Sequence, residues 1–137
     1  MLNASQIANN ATANNIQKDA GTISMWIKPA WDGDDGIDNM VLDSTVSANT
    51  NGWWVIKKDD NTHQFVVWDS SGNYSIVNTD ASNWSAGDWR HIVGTWDNGE
   101  LVLYIDGLLV DDTETATGTG LISQLPSTMY VGRYAPS

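Results

Sequence analysis

The sequence contains no cysteine, which excludes disulfide bonds, cysteine metal ligands and a catalytic thiol. Basic residues are also scarce, because six lysines and arginines stand against 17 aspartates and glutamates and give a formal net charge of −11 at pH 7. Such a chain repels phosphate backbones, so nucleic acid is not expected as a partner. No stretch approaches the ~20 apolar residues of a membrane-spanning helix, so we expect no membrane insertion.

The residues in surplus are tryptophan and aspartate. Eight tryptophans occur in 137 residues, and 15 of the 17 acidic residues are aspartates. Aspartate is disfavoured in strands and helices and is favoured in turns and at calcium, so the surplus indicates loops. The length suits one domain, which can bury a core without covalent cross-links.

The segment 88–107, DWRHIVGTWDNGELVLYIDG, contains two turn dipeptides. Asn98-Gly99 and Asp106-Gly107 favour type I′ turns, which need positive φ at both central residues. The resulting register predicts a three-stranded antiparallel meander with one apolar face and one mixed face. Four side chains are predicted to point into a core from the apolar face: Ile92, Trp96, Leu103 and Ile105.

Other short segments have the alternation and flanking turn residues of strands. They lie at 21–30, 40–44, 52–58, 64–69, 73–77 and 129–133. About nine strands predict an all-β fold, an antiparallel β-sandwich of the jelly-roll type. We expect residues 1–20 to form an arm or edge strand, and residues 113–127 a long loop.

Four motifs occur in a fixed order, where ϕ is apolar. The pattern T-ϕ-x-x-W-ϕ-x-P is matched by Thr22, Ile23, Trp26, Ile27 and Pro29. The pattern W-x-H-ϕ is matched by Trp89, His91 and Ile92. The pattern L-x-L-Y-ϕ-D-G is matched by Leu101, Leu103, Tyr104, Ile105, Asp106 and Gly107, and the pattern ϕ-x-ϕ-G by Met129, Val131 and Gly132. In this order the motifs resemble the laminin-G-like, concanavalin-A-like lectin-glucanase superfamily of jelly rolls, in its non-catalytic branch.

The resemblance implies a laminin-G-like sandwich domain over 21–137. It also implies a further strand after the last motif, whereas this sequence ends at YAPS. Without that strand one sheet edge is open, and either the N-terminal segment or a strand from another chain fills it. We therefore expect assembly with other chains or a homo-oligomer.

Catalytic residues are not expected. Glycoside hydrolysis needs two carboxylates at a defined separation, and the only glutamates are Glu100 at a hairpin tip and Glu114 in a loop. His63 is predicted in a turn, and His91 is predicted as a strand residue opposite Asp106. We therefore predict that the protein is not an enzyme.

A metal site is a candidate in the acidic loop WDGDDGIDN. Asp32, Asp34, Asp35 and Asp38 offer hard oxygen ligands of the kind that Ca²⁺ prefers, and clustered carboxylates repel one another without a cation. A solvated acidic loop explains the same residues.

The tryptophans divide into two groups. Trp26, Trp89 and Trp96 match positions that the resemblance implies are structural. A five-residue loop at 59–63 would place Trp54 opposite Trp68, either as a glycan platform or as core, in which case Trp53 would be the exposed residue. Trp31 and Trp84 flank loops and are candidates for an exposed rim. The ligand-binding candidates are Trp31, Trp54, Trp68 and Trp84.

Three functional hypotheses follow. The first is a non-enzymatic surface recognition module that binds glycan or protein, with Ca²⁺ as a candidate cofactor. The second is a structural virion-surface protein, such as a phage capsid decoration or tail-fibre subunit. The third, a trimmed glycoside hydrolase, lacks its carboxylate pair. The expected location is extracellular or on a virion surface, and the absence of cysteine favours a bacterial or viral origin.

Overall fold

The computed structural model describes residues 9–10, 13–14, 16–47, 49–110, 115–116, 118–119, 121–126 and 129–132. Within these ranges the chain forms twelve β-strands. No helix in this part of the chain could cross a membrane. The strands are β1 Asn9–Asn10, β2 Ala13–Asn14, β3 Ala20–Ile27, β4 Asn39–Asp43, β5 Gly52–Lys57, β6 Thr62–Trp68, β7 Tyr74–Asp80, β8 Arg90–Asp97, β9 Glu100–Ile105, β10 Leu108–Leu109, β11 Thr115–Ala116 and β12 Tyr130–Val131.

The strands form two packed sheets. The four-stranded sheet has the order β10-β9-β8-β3, the six-stranded sheet has the order β11-β7-β6-β5-β4-β12, and β1 and β2 form a separate hairpin. Neighbouring strands run antiparallel. The predicted all-β antiparallel sandwich is therefore confirmed.

The central meander has the predicted register. Trp96 pairs with Leu101 and Ile92 with Ile105, because Asn98 and Gly99 adopt φ values of 48° and 97° and close a tight turn of the type I′ class. Ile92, Trp96 and Leu103 are buried, and Ile105 is partly buried against the same core.

The two sheets meet through aromatic side chains. The rings of Trp53 and Trp96 lie 4.6 Å apart between their centroids. Phe65 packs against β8 at Gly94, where an added Cβ would lie 2.9 Å from the Phe65 ring. Glycine is therefore required at position 94 for the sheets to approach this closely.

The hairpin between β5 and β6 is tighter than predicted. Trp54 pairs with Val66, and Trp68 lies opposite Gly52. The predicted five-residue loop and the predicted Trp54–Trp68 pair are therefore wrong, because the register of the two strands is shifted by two residues. Asn61 adopts a φ of 69°, which closes the turn early and lets β6 begin at Thr62. A two-residue shift preserves the strand faces, but it moves His63 from the predicted turn into β6.

Strands β11 and β3 each lie at an edge of their sheet. The predicted long loop at 113–127 contains β11, which pairs with β7. In the described part of the chain β3 pairs with β8 alone, so one edge of this eight-residue strand is open there. The predictions for residues 1–8 and 133–137 lie outside the described residues.

Candidate functional site

The acidic loop between β3 and β4 is held in place by the side chains predicted to bind calcium. Asp35 pairs with Lys57, which is fully buried, and also accepts hydrogen bonds from the Ile37 amide and the Asn39 side chain, each at 2.9 Å. The hydrogen bond from Lys57 is the main cause of a lowered pKa for the Asp35 carboxyl group. The negative charge of this carboxylate is therefore balanced by Lys57 within the protein.

The neighbouring aspartates bind other protein groups. Asp38 pairs with Lys58 and accepts the Asp59 amide N–H at 2.8 Å. Asp32 accepts the Ala86 amide N–H at 2.8 Å, and Asp34 is exposed. Among the described residues no three or more acidic or histidine side chains come together as metal ligands. Calcium binding stays a prediction without a preformed ligand set.

Trp31, the first residue of this loop, stacks on Trp84. Their ring centroids are 6.3 Å apart with an interplanar angle of 13°, and the Lys57 ammonium lies 5.6 Å from the Trp31 ring. Trp84 is only 5% exposed, so the prediction that it forms an exposed rim is wrong. The rings of Trp31 and His63 pack against it, and the Gly33 amide ties the loop to the Trp84 carbonyl at 2.8 Å.

His63 lies in the core beside this pair. Its ring centroid is 4.8 Å from that of Trp84, and neither ring nitrogen has a hydrogen-bond partner. Burial lowers the pKa of His63 to about 3, since the charged imidazolium loses its hydration. The ring is neutral at physiological pH and has no access to a substrate.

Trp54 and Trp68 share the outer face of the six-stranded sheet. Their ring centroids are 5.1 Å apart, and Tyr74 lies 5.1 Å from Trp68. Both tryptophans are half-buried, whereas Trp53 lies in the core. The structure brings the predicted platform residues together on one face, and their role in ligand binding stays a prediction.

The most exposed aromatic side chains are ones that the resemblance implied were structural. Trp26 is 64% exposed and Trp89 is 59% exposed, with ring centroids 6.5 Å apart and an interplanar angle of 77°. His91 stacks on Trp26 at 4.7 Å. We call Trp26, Trp89 and His91 the aromatic corner. The alternation of β3 could have located it, since Trp26 faces away from Ile23 and Ile27.

A hydroxyl–imidazole pair also lies on this face. Ser24 Oγ and His91 Nε2 are 3.0 Å apart, but Asp106 accepts its hydrogen bond from the His91 backbone amide, at 2.8 Å. A carboxylate that orients the imidazole is a requirement of the serine nucleophile mechanism. The described residues do not supply such a carboxylate for His91, and the absence of catalysis stays a prediction.

A groove opens where the end of β7 faces β10. Its volume is about 560 Å³, within the range of small-molecule sites. Its polar lining consists of Asn78, Thr79, Asp80, Asn83, Arg90 and Asp106. Its apolar lining consists of Trp84, Ile105, Leu108, Leu109 and Val110. Of the predicted ligand-binding residues, Trp84 is the one that lines this groove. The other lining residues could not be identified from the sequence, because they come from strands of two different sheets.

The groove is partly pre-organised. Arg90 donates to Asp106 Oδ2 at 3.0 Å, and its guanidinium lies 5.5 Å from the Trp84 ring centroid. Hydrogen bonds from the Ser82 backbone amide and hydroxyl lower the pKa of Asp80. Asp80 is therefore ionised at neutral pH.

Two packed antiparallel sheets with an open groove at their edge define a β-sandwich of the jelly-roll type. A laminin G family model, described as the concanavalin A-like lectin/glucanases superfamily, matches residues 3–136. The chain belongs to this family. A search of curated proteins gave no match.

Solved structures share the fold at low identity. The binding domain of botulinum neurotoxin serotype D is 20% identical with a TM-score of 0.67, over 90% of this chain and 30% of that one. Domains LG4-5 of the mouse laminin α1 chain are 16% identical with a TM-score of 0.61, over 85% and 28%. The serotype D ligand-binding domain in complex with N-acetylneuraminic acid is 19% identical with a TM-score of 0.64, over 90% and 30%. The chain thus spans less than a third of these relatives.

Proposed function

We propose that this protein is a non-enzymatic recognition module that binds glycans at an extracellular surface through the groove between β7 and β10. The observation that carries the proposal is the mixed lining of the groove, in which amide and carboxylate side chains stand beside exposed leucines. A pyranose has the same mixture, with hydroxyl groups at its rim and C–H groups on its face.

The polar residues of the lining supply both kinds of hydrogen-bonding group that hydroxyls need. The carboxylates of Asp80 and Asp106 accept, and the amides of Asn78 and Asn83 donate and accept. Leu108 and Leu109 are exposed and offer an apolar surface to a sugar face. The charges of Arg90 and Asp106 are paired with each other, and the ionised Asp80 carboxylate adds a strong hydrogen-bond acceptor for the hydroxyls of a neutral ligand.

The structural relatives support a binding role in general terms. One is named as a complex with N-acetylneuraminic acid, and another, a botulinum neurotoxin DC binding domain, as a complex with rat synaptotagmin II. Because this chain spans under a third of each, these ligands support glycan or protein as the partner class and do not place a site.

A glycan array, read with and without EDTA, tests the proposal. We expect binding to at least one neutral glycan, weakened in Asn83→Ala, with the exposed amide Gln124→Ala as the matched control outside the groove. Loss of signal in EDTA would support the predicted Ca²⁺ cofactor. Flat signals in both conditions, or equal effects of the two variants, would contradict groove binding.

A structural virion-surface protein is the second candidate, and the open edge of β3 favours it. The edge strand AGTISMWI has no charged residue, and charges are a common protection against edge-to-edge pairing. Under this hypothesis copies share strands along β3 on an extracellular or virion surface, in a bacterial or viral setting. Light scattering after size exclusion would show a closed oligomer, whereas a monomer at high concentration contradicts the hypothesis.

A further inference from the structure

The aromatic corner exposes two large indole surfaces side by side. Trp26 and Trp89 meet at 77°, so they form two walls of an open angle. Two indole rings exposed side by side leave apolar surface in water, which is unfavourable. Clustered exposed aromatic residues mark binding sites more often than isolated ones do.

A basic residue beside the corner, Lys28, has no acidic partner among the residues that the structure describes. Of the six lysines and arginines, Arg133 lies outside the described residues, and the four paired with an aspartate are Lys18, Lys57, Lys58 and Arg90. Lys28 is exposed and forms no ion pair in the described part of the chain. Its ammonium group lies 5.9 Å from the Trp89 ring centroid.

We propose that the aromatic corner and Lys28 form a second binding site, for a pyranose that carries a carboxylate. An indole face packs against the C–H face of a sugar ring, and the Lys28 ammonium pairs with the carboxylate. Ser24 and His91, hydrogen-bonded to each other at 3.0 Å, stand beside the rings as groups for sugar hydroxyls.

Charge decides between ligand classes at this corner. A cationic ligand would share the Trp89 ring with Lys28, so like charges would meet at short range. The net charge of −11 repels anions at long range, but salt at about 0.15 M screens charges beyond ~8 Å. A contact ion pair with Lys28 survives that screening better than the long-range repulsion does.

The second site is separable from the groove. Successive residues of a strand point to opposite faces, so in β8 His91 lies on the outer face while Arg90 lines the groove. The inference does not depend on the groove's ligand, and neither Trp89 nor Lys28 lines the groove.

The test is a titration of ¹⁵N-labelled protein at pH 7.5 with an oligogalacturonide and with its methyl ester, followed through the tryptophan indole N–H signals. We expect the Trp26 and Trp89 signals, assigned with Trp→Phe variants, to move with the acid. The ester should bind about tenfold more weakly, and Lys28→Gln should abolish that difference.

Matched variants separate this proposal from the one above. Trp89→Ala should lower acid binding at least tenfold, while Asn83→Ala in the groove leaves it unchanged. Equal affinity for acid and ester, no response of either corner signal, or loss of acid binding in Asn83→Ala would each overturn the inference. Neutral-glycan binding that depends on Asn83 could still stand in those cases.

Discussion

Two tryptophan pairs of this protein lie in opposite environments. Trp31, at the start of the acidic loop, stacks nearly parallel on the buried Trp84, whereas Trp26 and Trp89 meet edge to face on the open surface of the four-stranded sheet. The residue type is the same in both pairs, so their surroundings make the difference. One pair stabilises the fold, and the other is free to contact a partner.

The lysines beside the two pairs differ in the same way. Lys57, near Trp31, is fully buried and paired with Asp35. Lys28, near Trp89, is exposed. A buried charge needs a partner within the protein, and an exposed one does not. The two regions should therefore respond differently to substitution.

The largest expected difference is between Trp84→Ala and Trp89→Ala. Removing a buried tryptophan leaves a cavity and costs ~3–5 kcal/mol of unfolding free energy, whereas the exposed Trp89 should cost less than about 1 kcal/mol. Urea unfolding of the two variants measures both values. Equal losses would mean that the aromatic corner is part of the folded core.

The next largest expected difference in stability is between variants of the two ion pairs Asp35–Lys57 and Asp38–Lys58. Asp35→Asn leaves the buried Lys57 without its carboxylate, and we expect a loss of about 2–4 kcal/mol, reduced from a fully buried pair because Asp35 is partly exposed. Asp38→Asn, in the more exposed pair with Lys58, is the matched control and should cost under about 1 kcal/mol. If the control costs as much, burial of Lys57 is not the cause.

Mild acid should destabilise the buried region through His63. Its pKa of about 3 in the folded state lies below the unfolded value of 6.5, so the unfolded chain binds the proton first as the pH falls through 6.5. Unfolding free energy should fall by about 2 kcal/mol between pH 7.5 and 5. The lowered pKa of the Asp35 carboxyl group adds its effect only below about pH 4.

His63→Phe tests this assignment, because it removes the titrating group at similar volume. The variant should have a nearly flat dependence of stability on pH from 7.5 to 5 in urea titrations. A slope that persists in the variant would assign the acid sensitivity to another group.

The smallest expected effect on stability is that of Lys28→Gln. Its cation–π contact with Trp89 is exposed and contributes under about 1 kcal/mol, so the urea midpoint should barely change. The variant's loss of preference for a carboxylated sugar would then be a ligand effect. A clear loss of stability would assign Lys28 to the fold instead.

Local patterns were enough for much of the fold. The two glycine-containing turns set the meander register, because few residues other than glycine, asparagine and aspartate tolerate positive φ. The hairpin before β6 was mispredicted because its turn depends on Asn61 at positive φ, a weaker signal than glycine. The candidate sites were harder, since exposure of Trp84 and Trp26 depends on which distant segments cover them.

The sequence alone determined the sandwich and the central register, because turn chemistry and two-residue alternation act between neighbours along the chain. Tertiary structure alone decided that Trp84 is covered, that Asp35 meets Lys57 and that the groove joins β7 to β10. Those contacts join residues that are distant in sequence, and only the packing of the two sheets brings them together.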